Sequence, residues 1–486
     1  MTERSRFLPL VVAATAALLF AAVGATIAVE QANALKCKPA CIPPPEEELP
    51  GEELPPPPPP SPTPPPTRSM LVIGVGWNHP DSRYESRLTG NQAYVDHVND
   101  RINDTFTKQA APAPFVEWRA TNGGEYMIEP PRGIVTAEEH AQGRCAKTND
   151  TGILEDGGEF TDSLVRQAEA EVRQRGFNPD AYAMVMIQYE NNAVHCLAGV
   201  HLGRHILVTN RLGTPEHELG HHAGLGHAAF LRCYDQSKQP VVLSGDCKAF
   251  TYGDPYSRMG GGPRAFGAIH ANKLGWLNNQ FYDVTAGDFS RTFFLRPFTG
   301  SVRSERALRL RDGGATYWLE YRTSIGVDDP VYSRNAQTEQ DGLIIHREPS
   351  PGESQLLDMT PGSWNPSNPE DGRHDGNDAP LPVGSSWNVP GGEMKITVNS
   401  AGPSGVSVTL STRRVTMPDV RGMEVERAYA ILRNLGFNPA PWQPVIDQTC
   451  SYLGTIAEQE PFPGTRWLPE QPVRLGVGEH PGFGCP

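Results

Sequence analysis

Residues 214–230 read TPEHELGHHAGLGHAAF, four histidines and two glutamates in a short apolar, glycine-containing run. On a helix, His217 and His221 fall on one face about 6 Å apart along the axis, so both imidazoles reach one ion. Glu218 lies about 100° around from His217, close enough to touch a water on that ion without ligating it. Gly224 is placed to end the helix in the left-handed conformation and turn the chain back, which brings in His227 as the third ligand. Three protein ligands leave one position of a tetrahedral zinc open, and an open position means catalysis rather than structure. Zinc lowers the pKa of a water there to about 7, and Glu218 takes its proton as general base. His222 follows a ligand directly, points about 100° away, and falls outside the set. A bare HExxH arises by chance in long chains, but glycine and histidine at these further offsets make a chance match far rarer.

Outward from this stretch, MLVIGVG (70–76), YAMVMIQY (182–189) and HILVTN (205–210) read as buried strands. Between them TDSLVRQAEAEVRQRGF (161–177) carries Leu164, Ala168 and Val172 at helical spacing and stops at Gly176. Alternating strands and helices predict an α/β layer over residues 69–280. Beyond 280 the helices vanish. TFFLRPF, ALRLRD, TYWLEYRTS, DGLIIHRE, EMKITVNS and GVSVTLST cluster β-formers between turn residues. They predict an all-β, sandwich-like domain over 281–412. Residues 415–479 form a third, α+β unit, in which Val425, Ala428, Ile431, Leu432 and Leu435 share one helical face.

The ends and the charge set the context. Arg4 and Arg6 precede an apolar run from Phe7 to about Val29, and Ala32-Asn33-Ala34 supplies an A-x-A site. This is the layout of a secretory signal peptide over 1–34, with an uncleaved membrane anchor as the alternative. Lys36 stands where a lipidated Cys37 would need a small residue. Residues 35–68 form a Pro-rich spacer whose run from 42 to 67 favours polyproline II, roughly 75 Å long. The chain is therefore expected outside the cytoplasm, secreted or at the cell surface. Its net charge of −14 offers no basic stripe for nucleic acid. Eight cysteines in an exported chain suggest disulfides, and sequence neighbours nominate Cys37–Cys41, Cys145–Cys196, Cys233–Cys247 and Cys450–Cys485.

The string H-E-L-G-H-H-A-G-L-G-H resembles the metzincin zinc-protease signature HExxHxxGxxH. Metzincins also carry a methionine in a tight turn beneath the zinc ligands, and TYGDPYSRMGGG supplies Met259. This pair, followed by LGWL (274–277) and later by LLDMTPGS, resembles the gametolysin-like peptidases over residues 70–410. The resemblance implies a metzincin-type catalytic domain with one Zn²⁺, ligands His217, His221 and His227, Glu218 as catalytic base and Met259 as a structural residue. No tyrosine stands at the offset after the methionine where some metzincins place one near the zinc, so Tyr252 and Tyr256 are not counted as ligands. Asp254 is a candidate acidic partner for a ligand histidine.

The pattern MPDVRGMEVERAYAILRNLGF…EQEPFPGT…VRLGVG resembles a PASTA domain, a module of bacterial penicillin-binding proteins and kinases. It implies bacterial origin and a peptidoglycan or cell-wall partner.

The resulting expectation is a secreted zinc endopeptidase acting on protein or peptide substrates. Two alternatives stand beside it: a wall-anchored adhesin with a vestigial metal site, and a wall amidase sharing the zinc chemistry. Calcium has only the acidic, turn-rich DGRHDGNDAP (371–380) to recommend it, which lacks a recognised loop spacing. Cys37, ahead of the catalytic domain, could close the open zinc position in a latent form, although pairing is its ordinary fate.

Overall fold

The computed structural model describes residues 67–482 other than 80–84, 89, 111–114, 133–157, 191–198, 210–213, 261–263, 301–303, 324–341 and 363–374, together with 484 and 485. The signal segment, almost all of the spacer, and Cys37, Cys41, Cys145 and Cys196 lie outside the described residues. The chain is multidomain and mostly β, with few helices. No helix among the described residues is long and apolar enough to cross a membrane.

The first layer is a five-stranded sheet of β1 (Thr67–Trp77), β2 (Glu117–Ile128), β3 (Met184–Tyr189), β4 (Gly199–Leu202) and β5 (His205–Val208), ordered β2-β1-β3-β5-β4. β1 starts two residues inside the expected spacer. The first four strands in this order run parallel, and β4 closes the edge antiparallel to β5. Parallel strands need cover on both faces, which explains the unbroken apolar runs of β1 and β3. Alternate residues divide between the two covers. Leu71, Ile73, Val75, Val185 and Ile187 pack on α3 (Gly158–Gln174) through Leu164, Ala168 and Val172. Each such side chain, fully buried, contributes about 1.5–3 kcal/mol.

Met70, Val72, Met184, Met186, Ile206 and Val208 face the opposite core. There they meet a helical run that the sequence reading passed over. It consists of α1 (Gln92–Asp96), a π-helical stretch His97–Ile102 and α2 (Asn103–Ala110). The same core takes Leu219 of α4 (Thr214–His222) and Ala268, Ile269 and Ala271 of α5 (Ala268–Lys273).

The second architecture is a β-sandwich. One sheet has nine strands: β6 (Ala228–Tyr234), β7 (Pro240–Val241), β8 (Asp246–Phe250), β9 (Phe281–Thr285), β11 (Ala307–Asp312), β12 (Ala315–Glu320), β13 (Gly342–Glu348), β14 (Ser354–Leu357) and β15 (Leu381–Pro382). The facing sheet is ordered β10-β18-β17-β16, from β10 (Ser290–Leu295), β16 (Ser386–Asn388), β17 (Met394–Gly402) and β18 (Gly405–Thr412). Leu308, Leu310, Leu319, Leu343 and Ile345 of the larger sheet pack on Phe293, Ile396, Val398, Val408 and Leu410 of the smaller one.

The expected division at residue 280 is crossed by this sandwich. β6 leaves His227 directly and pairs in parallel with β14, from Ala228↔Ser354 to Leu231↔Leu357. β7 and β8 then extend the sheet from β6. Residues 228–250 carry no strong alternation, because their pairing is decided by a strand more than a hundred residues downstream.

The last unit holds β19 (Val415–Thr416), α6 (Val425–Asn434), β20 (Gln443–Ile446), β21 (Ile456–Glu460), β22 (Arg466–Trp467) and β23 (Arg474–Glu479). It has a core of its own, centred on Val420, Ala428, Leu432, Phe437, Ile456 and Leu475. Gly436, at φ +88°, ends its helix in the left-handed conformation. Cys233–Cys247 and Cys450–Cys485 are both bridged.

Candidate metal centre

Helix α4 ends in a Schellman turn. Gly224 takes φ +84°, its N–H donates to His221 O at 2.9 Å, and Leu225 N–H donates to Gly220 O at 3.0 Å. The turn sends the chain back past the helix, and His227 rejoins His217 and His221. The three imidazoles present ligand nitrogens that all lie within 4.8 Å of one another. A Zn–N bond of about 2.05 Å in tetrahedral geometry sets ligand nitrogens roughly 3.3 Å apart, so small side-chain rotations close the set around an ion.

Each ring is oriented differently. His217 Nδ1 pairs with the carbonyl of Arg258 at 2.8 Å, and His221 Nδ1 with the carbonyl of Leu225 at 2.9 Å. A carbonyl only accepts, so both Nδ1 atoms carry the hydrogen and both Nε2 atoms keep a lone pair for a metal. His227 has buried ring nitrogens with no hydrogen-bond partner among the described residues. Orphaned ring nitrogens of this kind can accept a ligand, and the three imidazoles would fit a zinc ion.

Burial first, and then the neighbouring imidazoles, lower His217 to about 4 and His227 to about 3. Burial also holds His221 below the usual histidine range. All three are neutral at pH 7, the form that binds metal. Their folded pKa values lie below the unfolded value near 6.5, so the unfolded chain binds more protons below that pH. The contribution of these three groups is complete above pH 6.5 and is lost as pH drops towards about 3, and protons compete with metal in the same direction. Thermal midpoint and bound zinc are expected to decline together below pH 6.5. A midpoint that stays flat from pH 7 to 4 would contradict the assignment.

Glu218 is buried, and burial pushes its carboxyl up to about 8. A nearby cation reverses that shift by favouring the carboxylate. The carboxyl lies against Gly199 of edge strand β4, where a Cβ would come within 2.5 Å of Glu218 Oε1. A side chain at 199 would have to displace the Thr214 methyl and the Glu218 carboxyl. Glu216 faces away from the cluster and pairs with His97 Nε2 at 3.1 Å. Burial alone would raise Glu216, but Arg258 and His97 hold it below the usual range. His222 also turns away, pairing with His201 Nε2 at 3.2 Å and packing edge-on against Trp118.

Met259 is fully buried beneath α4, where a Cβ on Gly220 would meet its Sδ at 2.4 Å. The segment 252–260 is tied to the site at three further points. Arg258 O holds His217, Met259 O accepts from Ala228 N–H at 2.8 Å, and the Tyr252 ring lies 3.8 Å from that of His227.

Asp254 does not serve a ligand histidine, contrary to the expectation from sequence. Its Oδ2 pairs with His346 Nε2 of β13 at 2.9 Å, and its Oδ1 accepts from Tyr256 N–H at 2.8 Å. The reason is that backbone carbonyls already orient His217 and His221. Tyr256 is buried away from the cluster and donates to Asn377 O at 2.6 Å. Residues 371–374 of the acidic stretch considered for calcium lie outside the described residues, and Asp375–Asp378 is a 3₁₀ turn. Among the described residues, only His217, His221 and His227 gather three metal-ligating groups.

Tyr252, Gly199, His346 and the two orienting carbonyls were not picked out in the sequence as site residues. Only the run of turn residues around Tyr252 and Met259 hinted that this segment closes over the helix.

No curated protein matches the chain. The C-terminal unit is different: residues 415–479 match the PASTA domain family. This region of the chain is a PASTA domain, a fold consistent with a peptidoglycan-type partner.

Proposed function

We propose that the chain is an exported zinc-dependent endopeptidase of metzincin type, gametolysin-like over residues 70–410, which hydrolyses extracellular or cell-wall proteins. One observation carries this reading: three histidines converge beside the buried carboxyl of Glu218, and among the described residues the ring nitrogens of His227 have no hydrogen-bond partner. A zinc ion bound there supplies Lewis-acid polarisation and activates water. Glu218 accepts the proton of the attacking water and returns it to the departing amine. Among the described residues, edge strand β4, next to Glu218, has one side unpaired in its sheet, and an extended peptide can add to it by backbone hydrogen bonds. Zinc content and cleavage of a generic protein such as casein test the reading. One zinc per chain with chelator-sensitive cleavage supports it, and a zinc-loaded chain that cleaves nothing removes it.

The PASTA domain is proposed to hold the peptidase at the wall, raising local substrate concentration without touching the chemistry. Its core is self-contained, and its junction with the sandwich is made of surface ion pairs. Arg466 meets Asp288 at 3.1 Å, Arg414 meets Glu393, and Arg413 meets Glu470. A chain ending after Thr412 is expected to cleave soluble peptides within twofold of the full rate and to sediment several-fold less with isolated bacterial wall. Loss of peptide cleavage on truncation, or unchanged sedimentation, would contradict this role.

A further inference from the structure

Tyr252 occupies the rim of the histidine cluster in a conformation that side chains avoid. Its φ is +62°, the left-handed region where glycine or asparagine ordinarily serves. Strain of this kind persists only where surrounding structure enforces it, commonly at functional sites. What the conformation achieves is visible in the ring contacts. The half-buried phenol is centred 3.8 Å from His227 and 5.7 Å from His217, stacked on the latter at 27°. These contacts use the ring, and among the described residues no hydrogen bond engages the hydroxyl. Phenylalanine would satisfy the packing alone.

We propose that Tyr252 is a catalytic residue of the hydrolysis assigned above, its phenol O–H donating a hydrogen bond to the scissile carbonyl oxygen as that oxygen becomes negative. The proposal rests on the peptidase reading and adds a group to it. As water adds to the carbonyl carbon, Glu218 takes the water's proton and the C=O π pair moves onto oxygen. The phenol keeps its own proton and shares it with that oxygen. When the C=O bond re-forms, the C–N bond breaks and the nitrogen leaves with the proton held by Glu218. The products are a carboxylic acid and an amine, which at neutral pH exchange a proton to become carboxylate and ammonium, and Tyr252 is unchanged. A donor directed at charge that develops only in the transition state acts on kcat and leaves ground-state binding nearly untouched.

The test uses the full zinc-loaded chain and Tyr252→Phe, which retains the ring. Loss of one such donor is expected to lower kcat by about 100- to 1,000-fold, with KM within about twofold and zinc stoichiometry unchanged. A second readout does not depend on turnover. Calorimetric affinity for a phosphinic pseudopeptide, whose tetrahedral P–O⁻ mimics the charged intermediate, is expected to fall by a similar factor, while affinity for the product peptide stays the same. If Tyr252→Phe keeps at least half of kcat and binds the phosphinic peptide as the parent does, the tyrosine assignment is overturned and the peptidase reading survives. If the zinc-loaded parent cleaves no peptide and ignores the phosphinic compound, both readings fall together.

Discussion

Replacing Glu218 by glutamine is expected to leave one zinc per chain and to lower peptide hydrolysis by about a thousand-fold or more. Glutamine keeps the shape that fits against Gly199 but cannot take a proton from water, and a general base of this kind is worth about 10²–10⁴ in rate. Glu218 is not among the three groups that gather as ligands, so metal affinity should survive. The metal-free protein should even gain stability, because a carboxyl that burial pushes to about 8 is replaced by a neutral amide. His221→Ala supplies the contrast, losing zinc along with activity. If Glu218→Gln sheds zinc as readily as His221→Ala does, Glu218 is a ligand and the division of roles is wrong.

The second large effect lies outside the cluster. Asp254→Ala is expected to cost about 3–5 kcal/mol in a denaturant titration, because it strands a buried histidine that had a carboxylate partner. Asp254 and His346 are both almost wholly inaccessible to solvent. Burial opposes the charge on His346, but Asp254 overcomes it and raises the imidazole above its usual range. A folded pKa above the unfolded one means the pair's contribution is complete below about pH 6.5 and fades as pH rises through the folded value. The variant should therefore differ most from the parent at mildly acid pH and least at alkaline pH. Zinc affinity should fall as well, since Asp254 braces the turn that supplies Arg258 O to His217 and Met259 O to Ala228. An Asp254→Leu/His346→Leu pair should regain much of the stability, because two apolar groups leave no orphaned charge. Full stability and full zinc affinity in Asp254→Ala would show that the pair braces nothing.

The histidine stretch was legible because its determinants are local. Spacing of four residues puts two imidazoles on one face, and a glycine at the helix end is enough to return the third. The PASTA domain was legible for a related reason, since its helix, strands and bridge all fall within one short segment. What escaped was non-local. Asp254 finds its partner 92 residues away, and β6 finds β14 across a longer gap still. An acidic residue near a metal motif invites the guess that it steers a ligand, and nothing in the chain signals that carbonyls have already taken that task. The run from Gln92 to Ala110 was missed because Asn91 makes no side-chain cap and a π-helical stretch interrupts its period.

The passage of β6 straight from His227 into the nine-stranded sheet bears on how such a chain can be inherited. A chain cut at residue 280 would expose the flank of β6 that pairs with β14, along with the apolar side chains Leu231 and Cys233 that the sandwich covers. An open edge beside an apolar patch is a template for aggregation. The histidine-bearing helix α4 and the sandwich are therefore bound to travel through recombination as one cassette. The PASTA domain, attached through exposed ion pairs and folded around its own core, is the piece that duplication or exchange can add, remove or multiply without penalty to the fold upstream.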